Sequence, residues 1–418
     1  MILMGLENKK NYDFLIKDVK VPDLKNETFI VRDILILKGI LQEISAKITN
    51  DIRVIDAKKN LLISDTIDIH VHTRDPGLTH KETLETVLKA SARGGFSKVV
   101  AMPNTLPVID DKEKYLDVIR RASKIKGARL FQSCSLSKDL SGKTLNDFEQ
   151  LISAGCSCFS DDGLALYDSK LMERAMRSLK GSGSSLLLHS QSEGIAPEHA
   201  NSEIFGVYRD VLLSELTDCP VHIQHVSKKE SIEIIVKAKE RGVKITCEVC
   251  PHHLFLNESN SDLRSSDFKV NPPLRTKLDS KELIKYFSSG FIDVIASDHA
   301  PHTSQEKKTS YEEAPYGFSG VETLIPVIFS ELYKKRDLNI FKIIRAISIN
   351  TSKIINADIK GLKTGIRPDF TIVDLDKERM INKEALISKG KNNPFLPYKA
   401  ECDVQMTVVE GEIVCQNL

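Results

Sequence analysis

The chain lacks a net charge field, a long apolar run, a disulfide framework and a dinucleotide loop, and each absence removes a class of function. Lysine and arginine number 59 against 58 acids in 418 residues, so overall charge gives no reason to expect nucleic acid or a membrane surface as partner. The basic stretches are mixed with acids and read as solvated helix faces. No apolar run approaches the ~20 residues of a membrane-spanning helix. The eight cysteines are scattered, and Cys247-x-x-Cys250 has no second pair to complete a zinc knuckle, so core thiols are the simpler reading. The opening, Met1-Ile2-Leu3-Met4-Gly5-Leu6, is too short for a signal h-region before Glu7-Asn8-Lys9-Lys10. A reducing, cytoplasmic setting is therefore expected. No Gly-x-Gly-x-x-Gly follows a strand, which counts against a dinucleotide-binding fold.

What is present divides the chain by texture. Its length suits one large domain plus a smaller one. Residues 1–64 alternate in short strand-like pieces such as Phe14-Leu15-Ile16 and Ile34-Leu35-Ile36-Leu37. The same texture returns after about residue 365, with Phe370-Thr371-Ile372-Val373 and Val404–Val409 before the turn Glu410-Gly411-Glu412. One small β domain built from 1–64 and 361–418 is expected. Between them, strand candidates recur at Thr66–His72, Lys98–Met102, Ala128–Cys134, Cys156–Ser160, Ser185–His189, Pro220–His225, Lys244–Val249 and Ile292–Ser297. Amphipathic helical patterns, for example Glu82–Arg93, Lys112–Lys124, Leu171–Leu179 and Lys229–Arg241, fall between most of them. Eight such units predict an α/β fold, a (β/α)8 TIM-like barrel over residues 65–360.

The stretch Thr66–Arg74 organises the rest. Ile67, Ile69 and Val71 alternate with Asp68, His70, His72 and Arg74, so a strand of period two would put the four polar residues on one face. Two imidazoles on alternate strand positions can reach one metal ion, although a half-exposed strand that merely carries two histidines would read the same way. In a barrel, chemistry sits where strands end. Those ends offer His70, His72 and Arg74, then Pro103-Asn104, Ser160-Asp161-Asp162-Gly163, His189, His225, and Asp298-His299-Ala300-Pro301-His302. His189 or His225 alone reads as a core histidine and Asp162 as a turn residue; the joint occurrence reads as a site. Six N/O donors exceed one tetrahedral ion and suit two ions sharing a carboxylate, with Zn²⁺ favoured and Co²⁺ or Mn²⁺ tolerated. His222, His252, His253 and His299 are left over and are expected to be supporting or structural.

At these residues the sequence resembles a known family. Asp68-Ile-His-Val-His-Thr-Arg74-Asp-Pro-Gly77, Ala101-Met-Pro-Asn-Thr105, Ser160-Asp-Asp-Gly163, Asn271-Pro-Pro-Leu-Arg275 and Ala296-Ser-Asp-His-Ala-Pro-His302 are similar to dihydroorotases of the bacterial, Asp-bridged type I branch of the amidohydrolase superfamily. The resemblance spans nearly the whole chain. It implies reversible closure of N-carbamoyl-L-aspartate to L-dihydroorotate in pyrimidine synthesis. It also implies two Zn²⁺, with His70, His72 and Asp298 holding one, His189 and His225 the other, and Asp162 bridging. Asp298 would be the catalytic base and acid. Arg74, His72, Asn104, Asn271 and His302 would contact substrate, as would the main chain of Tyr316 and Gly317. An Arg fork suits the substrate's carboxylate. A homodimer is implied, and association with aspartate carbamoyltransferase is left open. The sequence departs from the family at Ile63-Ser64-Asp65, where Pro-Gly is common, and at Thr73 and Asp75.

Residues Thr303–Tyr316 are too polar for core and read either as a solvated loop or as a lid over the mouth. Two rival functions are weighed. Dihydropyrimidinases, hydantoinases and allantoinases look similar but generally bridge their metals with a carboxylated lysine, and Gly155–Gly163 contains none. A catalytically silent subunit supporting aspartate carbamoyltransferase would be expected to lose ligands, and none is missing.

Overall fold

In the computed structural model, which describes residues 12–417, the chain opens with β1 (Phe14–Asp23), β2 (Thr28–Leu37) and β3 (Ile40–Ser45), then short β4 (Val54–Asp56) and β5 (Leu61–Ser64). The opening stretch Met1–Lys10, read above for a leader, lies outside the described residues. Next come β6 (Ile67–Val71), β7 (Lys98–Ala101), β8 (Arg129–Gln132), β9 (Cys158–Phe159), β10 (Ser185–Leu188), β11 (Val221–Ile223), β12 (Ile245–Val249) and β13 (Val294–Ile295). All eight fall inside the segments expected from the sequence, though shorter. They pair in parallel as two arcs, β6–β7–β8 and β9 through β13. Parallel bridges from Cys134 to Phe159 and from Val71 to His299 join the arcs into a closed ring. The result is a (β/α)8 barrel.

The helices outside the ring include Leu84–Arg93, Lys112–Ala122, Ser169–Leu179 and Lys229–Glu240. The first three begin where a side chain accepts the free N–H of the first turn: Thr83 from Thr86, Asp111 from Lys114 and Asp168 from Leu171. The chain then returns through β14 (Phe370–Asp374), the ribbon β15 (Arg379–Ile381) and β16 (Tyr398–Ala400), β17 (Asp403–Val409) and β18 (Glu412–Gln416). One sheet takes strands from both ends of the chain, in the order β18-β17-β14-β5-β1-β2-β3, with β4 on β1. Phe14, Ile34, Ile36, Phe370 and Val408 form its buried face.

The strict alternation expected along β6 does not hold. Ile67 and Ile69 pack with Val100, Leu187 and Ala296, whereas Val71 belongs to the larger cluster with Val87 and Ala101. The register against β7 slips between Asp68 and Val71, and such a bulge reverses side-chain parity. Asp68 therefore does not share a face with His70. Its Oδ1 accepts the main-chain N–H of His70 and of Ser297 instead.

Lys98, fully buried at the start of β7, ties barrel to sheet. Its Nζ lies 2.5 Å from Asp65 Oδ1 and 3.0 Å from Asp369 Oδ2. Asp65, one of the departures from the family, also caps Gly361 through its N–H. Lys98→Met should leave the buried Asp65 carboxylate without its cation, while Asp369 keeps Lys360 at 3.5 Å, and destabilise the protein by about 3–5 kcal/mol. An unchanged urea midpoint would show that Asp65 and Asp369 do not need this cation.

Candidate metal centre

The strand ends and the loops after them bring the expected residues to one mouth. Asp162 stands between the two histidine pairs. Its Oδ2 lies 3.4 Å from His72 Nε2, and its Oδ1 lies 3.4 Å from His70 Nε2, 3.1 Å from His189 Nδ1 and 3.6 Å from His225 Nε2. Asp298 Oδ1 is 3.4 Å from His70 Nε2 and 3.2 Å from His72 Nε2. Donor atoms around a tetrahedral ion with bonds of ~2.0–2.1 Å stand about 3.3 Å apart, so this spacing is that of a coordination shell. His70 Nε2 is buried with no hydrogen-bond partner among the described residues, as a lone pair reserved for a metal would be. Two groups of three, His70–His72–Asp162 and Asp162–His189–His225, have donor atoms close enough to hold an ion. The residues present fit a metal cofactor.

Neighbouring groups set which ring nitrogen faces the mouth. His72 Nδ1–H donates to Asn104 Oδ1 at 2.9 Å, and His70 Nδ1–H donates to Glu248 Oε1 at 2.6 Å. Each bond leaves Nε2 as the free donor. Glu248 was not singled out from sequence. It is wholly buried on β12, its Oε2 accepts from His222 Nε2–H at 3.1 Å, and its Oε1 also accepts the His225 N–H at 3.2 Å. The signal was an acid inside the apolar run Ile245-Thr-Cys-Glu-Val249. His222 is thereby explained as the second histidine on Glu248. Asp161, by contrast, turns away and accepts from the main chain of Leu136 and Ser137.

Burial pushes the Asp162 carboxyl up, but His70 facing it and hydrogen bonds from His189 and His225 outweigh that and hold it well below the usual range. Asp298 is held down in the same way, by His70 and then His72. Three site residues have left-handed backbones, Arg74 (φ 57°), His225 (φ 35°) and Asp298 (φ 48°). Such strain, about 1–3 kcal/mol each, gathers where position matters more than stability.

A cavity of about 280 Å³ opens over these groups and is lined by Arg74, Asn104, Asn271, His302, Tyr316 and Gly317 as well as His72, Asp162, His189, His225 and Asp298. A larger space, about 610 Å³, lies at the other end of the strands under Ser185, Val221 and Ile245 and holds none of the expected donors. At the mouth the Arg74 guanidinium makes no ion pair with the described residues; its Nε donates to Pro301 O at 3.3 Å. Burial, with Arg74 and Lys81 beside it, keeps His302 neutral, and its Nε2–H donates to Tyr316 O at 2.8 Å. Gln191 Nε2 holds Asn271 Oδ1 at 2.8 Å, a further contact not anticipated. Gly163 has φ 87°, and a Cβ there would stand 2.8 Å from Asn104 Nδ2, so a side chain would push Asn104 off His72. Within Thr303–Tyr316, Ser304–Lys307 forms a capped turn, and the buried Lys307 Nζ donates to Pro315 O at 2.9 Å.

Comparison with known proteins decides the family. Residues 59–204 match the family described as Dihydro-orotase-like. The dihydroorotase of Bacillus cytotoxicus is 36% identical over 408 residues, 93% of this chain and 95% of that one. The chain belongs to the dihydroorotase family. The dihydroorotase of Bacillus cereus is 35% identical over 423 residues, 97% of this chain and 99% of that protein. Among solved structures, the L-hydantoinase (dihydropyrimidinase) of Arthrobacter aurescens superposes with a TM-score of 0.88 at 21% identity, over 97% of this chain and 96% of that one. The dihydropyrimidinase of Brevibacillus agri gives 0.84 at 20% identity, over 97% and 95%. These establish the barrel fold. The family acts on a small molecule, and the mouth of this chain holds groups of side chains that could bind a metal ion. Among the described residues no helix is long and apolar enough to cross a membrane.

Proposed function

We propose that the chain is a cyclic amidohydrolase that interconverts N-carbamoyl-L-aspartate and L-dihydroorotate in pyrimidine biosynthesis. The observation that carries this reading is Asp162 divided between two histidine pairs, with the Arg74 guanidinium, unpaired with any acid among the described residues, on the same cavity wall. With His70, His72 and Asp298 on one Zn²⁺, His189 and His225 on another and Asp162 shared, the ions would supply Lewis acidity and make water acidic at that point. Asp298 takes the proton of the attacking water and returns it to the ring nitrogen as the carbon–nitrogen bond breaks. Ring closure runs the same path backwards and must begin with Asp298 protonated, so it is favoured as pH falls. Arg74 grips the substrate carboxylate, while Asn104, Asn271, His302 and the main chain of Tyr316 and Gly317 fix the ring.

The test is an assay of the isolated, zinc-loaded chain with dihydroorotate and with dihydrouracil, which lacks the carboxylate. Turnover of dihydroorotate alone is expected; preference for dihydrouracil would make the chain a dihydropyrimidinase, and inactivity on both would make it a silent partner subunit. Arg74→Lys removes the planar fork and should raise KM for dihydroorotate roughly tenfold or more with a smaller change in kcat; an unchanged KM would remove Arg74 from carboxylate recognition. Residues 303–316 act as a cover that settles on bound substrate. Limited proteolysis there should slow when substrate is present, and identical cleavage with and without it would count against closure.

A cytoplasmic location fits eight cysteines that are all free thiols. A homodimer is supported by the helix Ala200–Thr217, which leaves Phe205, Tyr208, Leu212 and Leu216 exposed along one side. Association with aspartate carbamoyltransferase would use other surface, and the full ligand set supports activity without it.

A further inference from the structure

Two of the histidines left over by the sequence, His252 and His253, lie beside Cys250 just beyond the end of β12. All three are buried, at 2% exposure or less. One donor atom from each, the Cys250 sulfur and an imidazole nitrogen of His252 and His253, lies within 4.8 Å of the other two. The His253 Nε2–H is committed to Pro272 O at 2.9 Å, which leaves Nδ1 carrying a lone pair, buried and without a partner. Neither nitrogen of His252 has a partner among the described residues. An unsatisfied buried polar atom costs about 1–3 kcal/mol, and three in one cluster beside a thiol point to a ligand that would satisfy them together.

We propose that Cys250, His252 and His253 form a separate, thiolate-containing site for one thiophilic d¹⁰ cation, Zn²⁺ or Cu⁺. The donor set excludes calcium and magnesium, which take oxygen ligands. A thiolate with two imidazoles selects zinc or copper; Cu⁺ is satisfied by three donors, whereas Zn²⁺ adds a water as the fourth. Each imidazole has a buried nitrogen open to an ion: Nδ1 of His253, whose Nε2–H is taken by Pro272, and either nitrogen of His252. On binding, the Cys250 S–H bond breaks, the sulfur–metal bond forms and the proton leaves to solvent. The site shares no donor with the mouth and does not depend on the reading of the reaction. Glu248, which holds His70, lies two residues before Cys250 on the same stretch of chain.

The test uses the full-length protein with its mouth already loaded with metal. Every donor proposed for the mouth is nitrogen or oxygen, so sulfur-to-cobalt charge-transfer absorption on adding Co²⁺ reports a thiolate ligand. The expected result is such a band, saturating at one further ion per chain and lost in Cys250→Ser. In a second arm, Cu⁺ is titrated anaerobically against a colorimetric chelator. Retention of one equivalent, lost in Cys250→Ser, identifies a copper site, and a cobalt band without copper retention identifies a zinc site. Absence of both signals in the wild-type protein overturns the proposal, and that measurement needs no variant. Persistence of the signals in Cys250→Ser also overturns it. If Cys250→Ser fails to fold, His252→Phe replaces it, with loss of the extra ion expected and retention fatal.

Discussion

Asp298→Asn should lower turnover of dihydroorotate by at least about 10³–10⁴-fold while leaving the fold intact. The amide keeps the size of the carboxyl and one oxygen for the mouth, but it cannot take a proton from water or return one to the ring nitrogen. The carboxylate is held below its ordinary range by His70 and His72 despite its burial, which favours the ionised form that a base needs. Two readouts separate proton transfer from loss of metal. If only the proton step fails, metal content stays at the wild-type value and a non-reacting substrate analogue binds through Arg74 as before. A variant with near-normal kcat would remove Asp298 from this role, and one that loses turnover together with an ion would make it chiefly a ligand.

The second large effect is expected at a residue that touches no substrate. Glu248→Leu removes the acceptor of His70 Nδ1–H and His222 Nε2–H together. Two buried imidazole N–H groups lose their charged acceptor, although His222 keeps Thr246 on its other nitrogen, and this should destabilise the protein by about 3–5 kcal/mol. Metal affinity should fall roughly 10–100-fold, because His70 is then free to turn or to change tautomer. Glu248→Gln is the gentler variant; its amide oxygen still accepts from one histidine, so it should retain more stability than metal affinity. The same carboxylate gives the chelated protein a pH signature. Burial raises it, but His70 and His222 outweigh that and bring its pKa from 4.5 down to about 2. A depressed folded pKa means stability that is full above about pH 4.5 and lost as pH falls towards 2, on the order of 3 kcal/mol. Denaturant titrations of chelated wild type and Glu248→Gln should converge over that window; parallel curves would show that Glu248 carries no such linkage.

The barrel was legible because each of its strands is a short apolar run opening onto a polar loop, and the candidate ligands sit at those junctions. The sheet was legible because the same β texture marks both ends of the chain. The bulge in β6 was not, since parity along a strand depends on the register of its neighbour, Val99 against Asp68 and Ala101 against Val71. Along the helix Ala200–Thr217, Phe205, Tyr208, Leu212 and Leu216 put apolar side chains on its outer side as well as its inner one, which blurs the helical period. Glu248 stood in plain view as a charge in a buried strand, but its partners lie 178 and 26 residues away in sequence. Cys250, His252 and His253 were set aside because a thiol and two imidazoles on adjoining residues have no fixed mutual geometry until the backbone turns.

Neither arc of the ring meets the other along a full ladder; a lone pair closes each joint, Val71 with His299 and Cys134 with Phe159. His70 and His72 stand on one bank of the first joint and Asp298 on the other, while Asp162 follows Phe159 just past the second. Loading the mouth therefore laces the staves together where they are thinnest. The cofactor would serve as a hoop as well as a reagent, and a chelated ring should begin to spring open at these two seams.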